Sequence, residues 1–198
     1  MSDSAARSEL PAAFRAARDS IRAAEMRSDL VVGEIPAPSN LAPYAFALGA
    51  DVGPTRHGTD SELGTGRFVL LYDPAAPEAW GGAFRVVCFA QAPLETNMGV
   101  DPFLSDVIWS WLVDALDQRG ARYTALSGTA TRILSTGYGE LAGQGDGAQA
   151  ELRASWTPSD HHAAAHVEGW GELLCMLAGL PPVPEGVSLL SARRAGRE

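Results

Sequence analysis

Apolar residues recur along this chain with two periods, and the switches between them mark out its elements. Leu10, Phe14, Ala17 and Ile21 fall on one helical face, with Arg15, Arg18 and Arg22 on another. That spacing predicts an amphipathic helix over residues 8–26. Ser8 is placed to cap it, and Pro11 is tolerated in its first turn. A short strand is expected over 30–35. The prolines at 36, 38 and 43 then predict an extended connector. Strands are expected over 44–50, 67–73 and 83–91, with a polar, Gly-rich surface loop over 51–64. The last two of these strands, joined by a short loop, predict an antiparallel hairpin.

Leu104, Ile108, Trp111, Leu112 and Ala115 make a second helical stripe. It predicts a helix over 102–119, with Asp101 as cap, Pro102 in the first position and Gly120 at the exit. A long strand follows over 123–136, with a break or bulge expected at Gly128. Ala150, Leu152, Ala154 and Trp156 alternate with Glu151, Arg153 and Ser155, which predicts a strand with one buried and one wet face. Ala163, Val167, Trp170, Leu174 and Leu177 form the stripe of a last helix over 161–178, capped by Ser159 or Asp160 and closed by Gly179. The order is helix, strands, helix, two strands, helix. It predicts one α+β domain over 8–182, with flexible termini over 1–7 and 183–198. The sheet is expected to be mainly antiparallel, with the helices packed on one face. That order is similar, at fold level, to the order of type III secretion chaperones. Those have three strands before the second helix, where this chain predicts four.

Composition removes several function classes. The 198 residues contain no lysine; all 15 basic residues are arginine. A P-loop needs its lysine on the phosphates and a pyridoxal enzyme needs a Schiff-base lysine, so both are excluded. The net charge of −9 is uneven: residues 30–120 carry eleven acids against four arginines. Such an acidic body repels phosphate backbones and argues against a general nucleic-acid ligand. No apolar run approaches the length of a membrane span, and the first residues do not read as a secretory signal, so a soluble, cytoplasmic protein is expected. Cys88 and Cys175 are expected to be buried free thiols.

The candidate chemistry is sparse. His162 and His166 are four apart, a spacing that can chelate a metal, with His161 adjacent, but no further ligands complete a set, and surface or cap-associated histidines are expected. His57 is the fourth histidine and lies in the 51–64 loop. Asp101, Asp106, Asp114 and Asp117 sit on or beside the second helix, where capping and the helix dipole account for the first two. Gly64-Thr65-Gly66 and Gly137-Tyr138-Gly139 read as turns, since neither has dinucleotide-binding spacing. Catalytic, cofactor and metal residues are therefore assigned to none, and no cofactor is implied. Trp109 lies two residues from Trp111, about 200° around the helix, so it either packs in a second layer or faces a partner. Trp80, beside Gly81 and Gly82, has the same ambiguity. Trp80, Trp109 and the Arg15, Arg18, Arg22 stripe are the candidate interface residues. Gly169 and Gly171, which flank Trp170, fit a close approach by another element.

Several stretches together carry a family resemblance: Glu34-Ile35-Pro36-Ala37-Pro38; Thr65-Gly66-Arg67-Phe68-Val69-Leu70-Leu71-Tyr72-Asp73-Pro74; Trp80-Gly81-Gly82; Trp109-Ser110-Trp111-Leu112; Ala154-Ser155-Trp156-Thr157-Pro158; and Glu168-Gly169-Trp170-Gly171-Glu172-Leu173-Leu174-Cys175. The chain resembles the actinobacterial family called domain of unknown function 3000, over residues 10–187. The resemblance implies an actinobacterial cytosolic protein and, through a gene neighbour similar to ribonuclease D, points toward RNA metabolism. It supplies no catalytic residue.

Three functional expectations stand. The first is a non-enzymatic protein-interaction or chaperone-like regulatory module, a homodimer with a further protein partner at the first helix or a sheet edge. The second is an accessory factor in RNA processing, for which the arginine stripe is the one local basic face. The third is an enzyme with an unrecognised site.

Overall fold

A computed structural model describes residues 10–53 and 63–182. Ser8, His57 and the termini at 1–7 and 183–198, on which some expectations fell, lie outside the described residues. Helix α1 (Ala12–Arg22) leads into β1 (Leu30–Glu34), β2 (Tyr44–Val52), β3 (Thr65–Tyr72) and β4 (Phe84–Leu94). A one-turn helix α2 (Thr96–Gly99) and the long α3 (Leu104–Gln118) follow. The chain then forms β5 (Tyr123–Ser135), a 3-10 turn over Gly139–Gln144, β6 (Gly147–Pro158) and α4 (Ala164–Leu177). The strands make one open six-stranded sheet in the order β1-β2-β3-β4-β6-β5, antiparallel throughout. This is an α+β fold, with β1 as the fourth strand ahead of α3.

One face of the sheet carries the core. Phe46, Leu48, Phe68, Leu70, Val86, Cys88, Leu152 and Trp156 are buried there, under α1, α3 and α4. The period-2 alternation of β6 and the helical stripe of α4 meet here. Phe68 contacts the rings of Trp156 and Trp170 at centroid distances of 6.4 and 5.7 Å. Trp170 donates its indole N–H to the carbonyl of Phe89 at 3.0 Å. At the other end of the sheet, Phe14 of α1 packs on Tyr44 and Tyr72.

Several glycines hold this packing, for reasons the sequence conceals. Gly66 is a strand residue, not a turn: a Cβ there would come within 2.7 Å of the Trp170 ring. A Cβ on Gly169 would come within 3.1 Å of the Leu116 Cα and 3.2 Å of the Ala115 carbonyl, so α3 and α4 meet backbone to backbone. Gly171 instead faces side chains, the end of Met26 and Leu30. The close approach expected of this glycine pair is thus present. The bulge in β5 lies earlier than Gly128, between Thr124 and Ser127, where Ala125 has a φ of 52°. Gly128 serves a different purpose: the Trp109 ring covers it, and a Cβ would meet that ring at 2.8 Å.

Both long helices start later than the spacing predicts. Asp101 uses its carboxylate on the Phe103 N–H in a turn, and α3 begins at Leu104. Asp160 does the same for His162, and α4 begins at Ala164. The Ala164 N–H is instead capped by the Ser20 hydroxyl of α1, at 3.0 Å and 144 positions away.

The second sheet face is built from the alternate residues. Ile35 folds over Gly49 at its β1 end, with its Cγ2 3.1 Å from where a Cβ would stand. Leu71 is buried on this face and Val69 half-buried. Toward β4, β6 and β5 the face carries Arg67, Arg85, Val87, Phe89, Arg153 and a field of serines and threonines.

Candidate interaction surfaces

The sequence-predicted residues do not gather at one place. Trp80 is half-buried in the β3–β4 connection, where its carbonyl accepts a hydrogen bond from the Thr157 hydroxyl. Trp109 is half-buried over Gly128 of β5, so it packs in a second layer beside the sheet edge. The arginines of α1 are largely engaged within the chain. Arg22 holds Glu34 through two hydrogen bonds of 2.7 and 3.1 Å and lies over the Phe46 ring. Arg18 reaches Asp19 at 3.3 Å. Arg15 is exposed. The apolar stripe of the same helix is spent on its own core.

The histidine pair separates. His162 is exposed and stacks on His161, whereas His166 is fully buried. The late start of α4 explains this, because only His166 lies on the helix and it falls within the Ala163–Val167–Trp170 stripe. Its Nδ1 accepts the indole N–H of Trp156 at 3.0 Å. The ring proton therefore sits on Nε2, which has no hydrogen-bond partner among the described residues. Burial pushes the His166 pKa down from 6.5 to about 4, and Asp160 opposes this weakly. Among the described residues, no group of three or more His, Cys, Asp or Glu side chains could hold a metal.

A buried charge network ties the helices together. Glu172 is 4% exposed and takes Arg27 at 3.0 Å and Arg119 at 3.3 Å. Arg27 also holds Asp29 at 2.9 Å and the Pro181 carbonyl at 2.8 Å. Arg119 reaches Glu168 at 3.6 Å. Each acid is answered, so the network fixes geometry and offers no spare proton acceptor. Cys88 and Cys175 are buried free thiols, and burial pushes both up to about 12. Tyr123 is also raised to about 12, by burial and by its hydrogen bond to Asp117.

The feature that sequence reasoning missed is the β5 edge. This strand of 13 residues ends the sheet with one side unpaired. Its one charge, Arg132, donates to the backbone carbonyls of Gly99 and Asp101 in its own chain. Around the end of β5 the exposed apolar side chains concentrate: Met98, Val100, Phe103, Ile133, Leu134 and Leu141. Phe103 is 69% exposed and Val100 60%. Leu134 packs on Gly99, within 2.8 Å of where a Cβ would stand. Natural sheets usually blunt a free edge with lysine, proline, a short strand or a bulge, and β5 has only the bulge near its start, between Thr124 and Ser127. The sequence signal was present: residues 123–135 contain a single charge.

These features define an α+β protein with one helix-covered sheet face, one open face and a long free edge that carries a single charge. The chain belongs to the family described as "Protein of unknown function (DUF3000)", whose model matches residues 10–188. It matches no curated protein and no solved structure. No helix among the described residues is long and apolar enough to cross a membrane.

Proposed function

We propose that this protein works by association, as a non-enzymatic, chaperone-like or regulatory module that forms a homodimer through the β5 edge. The observation that carries this reading is the coincidence of the unpaired, singly charged strand Tyr123–Ser135 with the exposed apolar cluster around Phe103 and Leu134. A strand whose single charge, Arg132, is tied to its own backbone carbonyls can pair antiparallel with its own copy against little like-charge repulsion. The flanking apolar side chains then provide the dry contact that an edge pairing alone lacks. Pairing about a twofold is isologous: each copy supplies the same strand and the same cluster. Face-to-face pairing of the open sheets is the poorer arrangement, since it would bring Arg67 and Arg153 of both copies together.

Sedimentation equilibrium at micromolar concentration tests the reading. The expected result is a species of twice the chain mass. Ile133→Glu, which puts a charge into the apolar contact of each copy, is expected to return it to the chain mass. A single species of the chain mass across the whole range would refute the dimer.

A further inference from the structure

The open sheet face carries a row of three side chains in strict cross-strand register: Arg67 on β3 faces Phe89 on β4, which faces Arg153 on β6. Strands lie about 4.8 Å apart, so the two arginine positions stand about 10 Å apart with an aromatic ring between them. Arg67 is exposed and has no hydrogen-bond or ion-pair partner among the described residues. Arg153 is exposed, lies over the Phe89 ring at 5.6 Å and pairs with Glu151 at 2.6 Å. The next row, Val69, Val87 and Ser155, adds an apolar floor on which Val87 is 37% exposed. Arg67, Val69, Val87, Phe89 and Arg153 line a depression of about 580 Å³.

This arrangement runs against the rest of the chain. Residues 30–120 carry an excess of acids, yet the centre of the open face presents arginines. The structural core does not call for them: Arg67 does no work within the described residues. Charge complementarity therefore calls for an anionic occupant, and the Phe89–Val87 floor calls for an apolar group between its charges.

We propose that the open face binds an acidic peptide segment of a partner protein, one that presents carboxylates on either side of an aliphatic or aromatic side chain. An extended segment places alternate side chains on one face at about 6.6 Å intervals, so an acid–apolar–acid set at alternate positions spans the row within reach of the two long arginines. Arg67 can take one carboxylate in forked geometry, and Arg153, whose Nε already holds Glu151, can take the other through its terminal nitrogens. Single-stranded nucleic acid fits less well. Phe89 is the single ring in the row, whereas a single strand stacks successive bases on several rings. Two exposed arginines on a chain of net charge −9 are also too few to hold a phosphate backbone. The proposal rests on the association reading and names the chemistry of its second partner.

Fluorescence anisotropy with a fluorescein-labelled dodecapeptide tests it. The probe alternates glutamate and leucine at every second position, with serine between. Its counterparts are the same peptide with lysine for glutamate, and a labelled oligouridylate. The full chain is expected to bind the glutamate peptide in a salt-sensitive manner and to bind both counterparts at least tenfold more weakly. Arg67→Glu and Arg153→Glu should each weaken glutamate-peptide binding by about tenfold or more, and Arg67→Gln by less, with unchanged far-ultraviolet circular dichroism. Ile133→Glu, at the edge, should leave peptide affinity unchanged, which separates failure of the face from failure of the dimer. Equal binding of the glutamate and lysine peptides, wild-type affinity in Arg67→Glu, or preference for the oligouridylate would each overturn the proposal.

Discussion

Acidification is expected to destabilise the fold through His166, and the structure sets the size of the effect. The ring is fully buried, accepts the Trp156 indole N–H on Nδ1, and has its pKa depressed from 6.5 to about 4, chiefly by desolvation. A depressed pKa in the folded state means that the unfolded chain binds the proton first as pH falls. The contribution to stability is complete above pH 6.5 and is lost as pH falls toward about 4, below which the loss levels off. A difference of about 2.5 pKa units at 1.36 kcal/mol each gives about 3 kcal/mol across that window. Urea unfolding at pH 7.5 and pH 4, followed by tryptophan fluorescence, measures it. Carboxylates titrate in the same range, so the measured quantity is the difference between wild type and His166→Gln. That variant keeps an acceptor for Trp156 but no titrating ring. Wild type is expected to lose about 3 kcal/mol more than the variant. Parallel losses, or an NMR titration of His166 with a midpoint near 6.5, would refute the reasoning.

Other substitutions test the packing. Gly169→Ala sets a methyl against the backbone of α3 and is expected to cost about 1–3 kcal/mol in urea unfolding, despite the better helix propensity of alanine. Gly171→Ala meets the flexible end of Met26 and should cost clearly less; the reverse order would contradict the helix contact. Glu172→Gln removes the buried carboxylate that joins Arg27 to Arg119, leaving Arg27 with Asp29 and Arg119 with Glu168, and should destabilise by about 1–3 kcal/mol in urea unfolding. Cys88 and Cys175 should resist a thiol reagent at pH 7.5 in the native protein and react only on unfolding; rapid labelling of both would show that the core around them is open.

The local periods made most of the fold legible. The stripe of Ala163, Val167, Trp170, Leu174 and Leu177 and the alternation of Ala150, Leu152, Ala154 and Trp156 both report burial on one side, and both lie where expected. That same stripe includes His166, one residue before Val167, and this spacing signals a core histidine, not a chelating one. The misplaced features depend on contacts distant in sequence. The start of α4 is set by Ser20, far away on α1. Gly66 and Gly128 each lie under a tryptophan from a different element, so no local turn rule accounts for them. Helix α2 has four residues and too little length for a period. The Arg67–Phe89–Arg153 row exists only once the β3–β4–β6 register is known, and the free edge of β5 only once the strand order is known.

Hydrogen–deuterium exchange over a dilution series tests the central claim most directly, because it reads the β5 backbone itself. If Tyr123–Ser135 pairs with its own copy, its outward amides are protected at high protein concentration and become exposed on dilution, while the buried α4 segment around Trp170 exchanges at a constant slow rate. Fast exchange of the outward β5 amides at every concentration would contradict the account.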